Sequence, residues 1–158
     1  MSFGNRLGLL VGRFAPALVR RSIQSFAASF ETDPERFLDG IARQMSEPDR
    51  RLMEDAAVRE GVARDVREAY RQGGDGHADE APLAMTGRSW GFDLRTVTVP
   101  VYLWHGESDA LAPRTMAEYL AEALPACEAR FVPGAGHLLT EDDGVVQEFA
   151  EALKSSVA

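Results

Sequence analysis

Hydrophobic residues in the first half of the chain recur every three or four positions. Between Leu7 and Phe30 this spacing predicts one kinked helix or two shorter ones, because Pro16 interrupts the run. Asp33-Pro34 then has the form of a helix N-cap followed by proline at the first helical position. The helix that it begins is indicated by a stripe at intervals of four, namely Phe37, Ile41 and Met45.

The helical pattern restarts at residues 46–49, where Ser-Glu-Pro-Asp is a second capping sequence. Apolar residues at helical spacing continue from there to Tyr70, and the glycines of residues 73–76 end the pattern. A link punctuated by proline and glycine follows. The sequence therefore predicts a largely helical first half.

The second half has a different pattern. Residues 97–104, VTVPVYLW, are rich in β-branched and aromatic residues, which predicts a strand buried on both faces, and residues 128–132 predict a second short strand. Between them a helix opens at Pro113 and ends at Pro125, with its inward side predicted to be Met116, Tyr119, Leu120 and Leu124. Residues 142–154 predict a final amphipathic helix containing Val145, Val146, Phe149 and Leu153. The order strand, helix, strand, helix is typical of a parallel α/β arrangement.

Composition narrows the function classes. The chain has 158 residues, 45% of them hydrophobic, which is the size of one ordinary domain. A net charge of −8 lacks the basic footprint of a nucleic-acid-binding protein. The apolar stretches near the N-terminus are too short for a membrane span or a signal peptide. A single cysteine, Cys127, fits the reducing cytoplasm, where we expect the protein to be located.

Two residues with catalytic chemistry follow the two predicted strands. Asp109 comes after the strand that ends in Trp104, and His137 lies in the glycine-rich turn PGAGH after the second strand. Because functional residues of parallel sheets collect at the carboxyl ends of strands, we expect the two side chains to be adjacent. A carboxylate and an imidazole in contact form the acid–base pair of nucleophilic hydrolases.

The run VPVYLWHGESDALAP, followed 28 residues after Asp109 by the histidine of VPGAGH and then by a terminal helix, resembles the C-terminal third of α/β-hydrolase fold proteins. Residues 91–158 carry this resemblance. Residues 1–90 are similar, in position and helicity only, to the helical cap or lid that such enzymes insert before their last strands. The resemblance implies a partial α/β-hydrolase fold, with Asp109 as the triad acid and His137 as the general base.

Each of these residues also has a simpler interpretation. Asp109 could form a turn after a strand, and His137 could be a loop histidine; the flanking motifs favour the catalytic interpretation. His105 stands where the family often has a structural histidine. His105, Glu107 and Asp109 alternate and could supply metal ligands, but alternation in a turn is weak evidence, and we predict no metal or other cofactor.

Gly87-Arg88-Ser89-Trp90-Gly91 has the G-x-S-x-G spelling of a nucleophile elbow. An elbow requires a strand directly before the serine and a helix directly after it. Neither is predicted around Ser89, and only 20 residues separate it from Asp109. We therefore interpret the match as a coincidence, although a minimal hydrolase that uses Ser89 stays an alternative.

The sequence thus predicts the C-terminal portion of an esterase-like hydrolase, truncated so that it retains the triad acid and base and lacks the nucleophile. The resemblance implies an ester or similar small substrate, bound once an N-terminal core completes the site, and the Phe, Leu and Met residues within 3–60 indicate that this substrate is apolar. The alternative is a non-catalytic truncated product or an interaction module derived from that fold. In either case the strand at 97–104 has an open edge, which favours self-association.

Overall fold

The computed structural model describes residues 16–85 and 91–157. These residues form two compact units, the first made of 16–40, 60–85 and 91, the second of 41–59 and 92–157. The elements in chain order are α1 (Pro16–Thr32), α2 (Pro34–Ala42), α3 (Glu47–Leu52), α4 (Ala56–Ala69), α5 (Asp75–Met85), β1 (Val101–Gly106), α6 (Arg114–Ala123), β2 (Cys127–Val132) and α7 (Asp143–Val157). Single 3₁₀ turns lie at Leu94–Thr96 and Leu139–Glu141. Helices together with a short parallel sheet match the predicted partial α/β-hydrolase fold.

Aromatic side chains form the core of the first unit. The ring of Phe37 lies 4.5 Å from that of Phe26 and 5.3 Å from that of Phe30, between centroids. Helix α2 begins as the sequence predicts, because the Asp33 carboxylate accepts the backbone N–H of Arg36 at 3.0 Å. Helix α1 begins at Pro16 among the described residues, so the part of the predicted helix before Pro16 lies outside them.

Helix α5 occupies the stretch that the sequence pattern indicated as a link. Two contacts with α1 explain it: Arg20 forms ion pairs with Asp75 and Asp79, and the buried Ala78 lies on the side of α5 that packs inward. Gly74, just before α5, lies so close to α1 that a Cβ there would be 3.2 Å from the Gln24 Cα. Packing on α1 therefore stabilises a helix whose own sequence has weak periodicity.

The second unit contains a two-stranded parallel sheet, in which β1 pairs with β2 from Val101 opposite Cys127 to Gly106 opposite Val132. The predicted start of β1 at residue 97 is wrong. Pro100 has no N–H to donate, and the first ladder contact is Val101 N–H to the Ala126 carbonyl at 2.8 Å. The prediction that this strand is buried on both faces is also wrong: residues 101–105 are half-buried, since within the described residues β1 has one neighbouring strand.

Helices α6 and α7 confirm the predicted helices but not all of their predicted inward residues. Met116 and Tyr119 of α6 are 56% and 63% exposed, whereas Ala117 between them is buried. Leu120 and Ala121, three and four residues after the buried Ala117, are half-buried, so the pattern of large side chains misplaced the inward side of α6. In α7, Val145 is buried and the Phe149 ring packs edge-on against Trp104, while Val146 and Leu153 are exposed.

Residues 41–59, including α3, belong to the same compact unit as the sheet. The compact units thus do not follow a boundary at residue 90, and the assignment of residues 1–90 to a cap stays a prediction. None of the helices within 16–85 and 91–157 is long and apolar enough to cross a lipid bilayer.

Candidate functional site

The candidate site lies where β1 and β2 end, and two backbone contacts join the turns that follow them. Ser108 donates its N–H to the Ala135 carbonyl at 2.9 Å, and Glu107 donates to the Val132 carbonyl at 3.1 Å. Glycine at position 106 is required here, because a Cβ on Gly106 would lie 2.0 Å from the Gly136 carbonyl oxygen. The parallel strands therefore bring the residues after β1 directly against the turn that carries His137.

Asp109 is held by its own turn. Its Oδ1 accepts the backbone N–H groups of Leu111 at 2.8 Å and Ala112 at 2.9 Å, and its side chain is 5% exposed. Burial raises the pKa of this carboxyl group, but hydrogen bonds from Ala112, His137 and Leu111 together lower it by more than burial raises it. The pKa of Asp109 therefore lies below its ordinary value. Asp109 is therefore an ionised acceptor at neutral pH.

His137 lies beside this carboxylate, as the sequence predicts. Its Nδ1 is 2.9 Å from Asp109 Oδ2, and the side chain is 45% exposed. No residue of the described ranges forms a hydrogen bond with Nε2. An ionised partner at Nδ1 favours the tautomer with the proton on Nδ1, which leaves Nε2 as the unprotonated nitrogen of this half-exposed side chain.

The turn before His137 depends on glycine. Gly134 has a φ of +73°, a left-handed conformation that other residues rarely adopt, and it directs the chain away from the end of β2. Gly136 is buried against Asp49, which is described below. The GAGH sequence thus requires glycine at two positions, for its backbone conformation at Gly134 and for space at Gly136.

The three alternating residues considered as metal ligands serve other contacts. The His105 ring packs edge-on against Phe131, and Glu107 forms an ion pair with Arg114 at 2.6 Å. Over the ranges 16–85 and 91–157, no three histidine, cysteine or acidic residues come together as a metal site. His105 Nε2 is buried with no hydrogen-bond partner in these ranges.

Sequence reasoning missed one residue at this site. Asp49 is fully buried and its Oδ1 accepts the backbone N–H of Leu138, next to His137, at 2.9 Å. The motif at residues 46–49 was interpreted as a helix cap alone, and Ser46 does stand at the N-cap of α3. Nothing in the local pattern indicates that the carboxyl group contacts a turn 89 residues away.

Ser89 lies outside the described residues, and its interpretation as a coincidental match stays a prediction. The elements on either side are described: α5 ends at Met85, and from Gly91 the chain passes through the 3₁₀ turn at Leu94–Thr96 into β1. Cys127 is half-buried at the start of β2. His77 is exposed, and its Nδ1 contacts the Tyr70 hydroxyl at 2.8 Å.

The sequence matches the alpha/beta hydrolase family over residues 2–152, which is most of the chain, and the chain belongs to this family. It is similar in fold to an esterase from Exiguobacterium antarcticum, with a TM-score of 0.52 and 16% identity over 87% of this chain and 48% of that one. A thermophilic esterase from Thermogutta terrifontis has a TM-score of 0.55 and 19% identity over 87% and 50%. The chain thus spans about half the length of both structures. No curated protein matches the sequence.

Proposed function

We propose that this chain is the C-terminal part of an esterase-like hydrolase, in which His137 is the general base, Asp109 is the acid that orients it, and the nucleophile lies outside residues 1–158. The observation that carries the proposal is the 2.9 Å contact from His137 Nδ1 to the nearly buried carboxylate of Asp109. It supports a fixed imidazole that presents Nε2 to a reacting group.

In this proposal Nε2 removes the proton of the nucleophile while the nucleophile attacks the ester carbonyl. The imidazolium that forms is stabilised by the ionised Asp109, and it returns the proton to the departing alcohol. A water molecule, activated by Nε2 in the same way, then releases the acid from the acyl-enzyme. Asp109 meets the requirement of this role because its pKa lies below its ordinary value.

The elements around Ser89 argue against it as the nucleophile. The described chain before it is helix α5 and the described chain after it leads to a 3₁₀ turn and β1, whereas an elbow requires a strand before the serine and a helix after it. The helix start also supplies an oxyanion donor. A nucleophile from another segment is therefore favoured.

A small apolar ester is the proposed substrate class. Membership in the alpha/beta hydrolase family and the similarity of fold to two proteins named esterases support hydrolysis of an acyl bond. In the proposed arrangement residues 1–90 are a cap that lines the pocket, and the apolar residues within 3–60 favour an apolar acyl or alcohol group.

The test compares the 158-residue chain with a polypeptide that also includes the α/β core encoded upstream, using p-nitrophenyl butyrate. We expect activity only in the longer polypeptide, and its loss in His137→Ala. His77→Gln is the matched control, because it alters another exposed histidine, which belongs to the other compact unit. If neither upstream sequence nor a partner chain encodes a strand, a nucleophile elbow and a helix, the proposal fails for this polypeptide.

That outcome would favour the second candidate, a non-catalytic interaction module located in the reducing cytoplasm. Its supporting observation is that β1, within the described residues, pairs on one side only. An unpaired strand edge favours association with a second copy. Sedimentation velocity would then detect a dimer whose population increases with protein concentration.

A further inference from the structure

We propose that Asp49 is a positioning residue, whose buried carboxyl group fixes the turn 134–138 and thereby keeps the His137 imidazole on Asp109. The inference rests on the proposed function only in naming His137 as the base. Asp49, the turn and Asp109 all belong to the second compact unit.

Both carboxyl oxygens of Asp49 have a defined partner. Oδ1 accepts the backbone N–H of Leu138 at 2.9 Å, and Oδ2 accepts the hydroxyl of Ser46 at 2.6 Å. The residue is 0% exposed. A carboxyl group buried to this extent is costly unless hydrogen bonds compensate it, and here one of the compensating donors is the residue that follows His137.

The same carboxyl group packs against the residue that precedes His137. A Cβ on Gly136 would lie 2.2 Å from Asp49 Oδ2 and 2.3 Å from Oδ1. Gly136 does not have a positive φ, so space rather than backbone conformation requires glycine there. Asp49 therefore contacts the backbone on both sides of His137.

The Ser46 contact is local to the first turn of α3, whereas the Leu138 contact lies outside the helix to which Asp49 belongs. Ser46 occupies the N-cap position of α3 without capping it through its side chain, and its hydroxyl instead donates to Asp49. An aspartate that only capped α3 would accept N–H groups of that helix. Oδ1 of Asp49 instead accepts the N–H of Leu138, in the His137 turn.

The turn is also supported from its other side, where the Ser108 N–H binds the Ala135 carbonyl. That contact fixes the start of the turn relative to the residues that carry Asp109. Leu138, after the histidine, is bound by Asp49. Because the imidazole lies between these two supports, loss of the second one frees the ring to leave the Asp109 carboxylate.

The test is NMR of the ¹⁵N-labelled 158-residue chain, which reads the His137 tautomer and the exchange rate of the Leu138 amide. In Asp49→Ala we expect the preference for the Nδ1–H tautomer to be lost and Leu138 exchange to accelerate by about tenfold or more. Asp49→Asn, whose amide oxygen can still accept the N–H of Leu138, should keep both the wild-type tautomer of His137 and the slow exchange of the Leu138 amide. Met53→Ala is the matched control: it removes another buried side chain of this unit and should leave the tautomer unchanged.

Gly136→Ala gives a second measurement, in which its effect on the free energy of unfolding is compared between the wild-type and the Asp49→Ala backgrounds. The added methyl group should destabilise the wild-type chain and should be tolerated in the Asp49→Ala background, where the carboxyl group is absent. Equal destabilisation in both backgrounds would contradict the contact, as would a Leu138 amide that exchanges freely in the wild type.

These outcomes separate the inference from the proposed function. If the longer polypeptide hydrolyses esters, Asp49→Ala should lower kcat about a hundredfold, the cost of a misplaced catalytic group, with KM changed by less than about twofold. If it hydrolyses none, the tautomer and the exchange rate still test the positioning. An unchanged tautomer in a folded Asp49→Ala chain would overturn the inference.

Discussion

Replacing Asp109 by asparagine separates the two tasks of its carboxylate. Oδ1 accepts two backbone N–H groups of its own turn, and Oδ2 faces His137 Nδ1. In Asp109→Asn the amide oxygen can take the place of Oδ1, so the turn is preserved. The amide nitrogen then stands opposite Nδ1 and donates to it. His137 must therefore accept a hydrogen bond at Nδ1 and carry its proton on Nε2. Nε2 can then no longer accept the proton of a nucleophile.

The expected losses of stability follow from the number of hydrogen bonds. Asp109→Asn loses the charge-assisted hydrogen bond to His137. This bond contributes about 1.5 kcal/mol, because the His137 side chain is half-exposed to water. Asp109→Ala loses all three bonds, which gives about 4 kcal/mol when each contributes a similar amount. Urea unfolding of the two variants measures the difference between these free energies of unfolding.

The tautomer itself is read from the ¹⁵N shifts of the His137 ring. We expect Nδ1–H in the wild type and Nε2–H in Asp109→Asn. In a polypeptide that contains the nucleophile, the same substitution should lower kcat by about ten-thousandfold, the effect of a wrong tautomer in serine proteases.

The reasoning would be refuted by an Asp109→Asn chain that keeps the proton on Nδ1, since the carboxylate would then not determine the tautomer. It would equally be refuted if asparagine and alanine destabilised the chain by the same amount. That result would mean that the hydrogen bonds of Oδ1 do not hold the turn.

Three further predictions concern pH and packing. The pKa of Asp109 is lower in the folded chain than in the unfolded chain, so its contribution to stability is complete above the unfolded-state pKa and disappears as the pH falls through the folded-state pKa. The difference in free energy of unfolding between wild type and Asp109→Ala, measured in urea, should therefore narrow below about pH 4. Gly106→Ala should destabilise the chain by about 2 kcal/mol or more by overpacking. Gly61→Ala lies in a helix with open space around it and should stabilise the chain by about 0.5 to 1 kcal/mol. Thermal unfolding should therefore show a lower midpoint temperature for the first variant and a higher one for the second. Phe149→Ala should cost about 2 to 3 kcal/mol and shift the fluorescence of Trp104 to the red, and unchanged emission would contradict the 4.5 Å edge-on contact of the two rings.

The elements that sequence reasoning predicted well are those with a strong local signal. The β-branched and aromatic residues before Val132 predict β2 within one residue of its observed start. Helix α5 was missed because its formation depends on contacts with α1, such as the Arg20–Asp75 ion pair, that lie 55 residues away in the chain. Local propensity is a weak signal for a helix of this kind.

The same distinction applies to the candidate site. The adjacency of Asp109 and His137 could be predicted, because each follows a strand and parallel strands end at the same edge of a sheet. Asp49 could not be predicted, since its partner Leu138 is 89 residues away and the sequence around it resembles a common cap. Tertiary packing, rather than a motif, brings that carboxyl group to the His137 turn.

We propose that His137 and Asp109 serve a nucleophile that lies outside residues 1–158. Labelling with a fluorophosphonate probe, followed by peptide mass spectrometry, tests it most directly. We expect no label on the 158-residue chain, and in the longer polypeptide a label on a serine upstream of residue 1 that is lost in His137→Ala. A label on Ser89, lost in Ser89→Ala, would contradict the account.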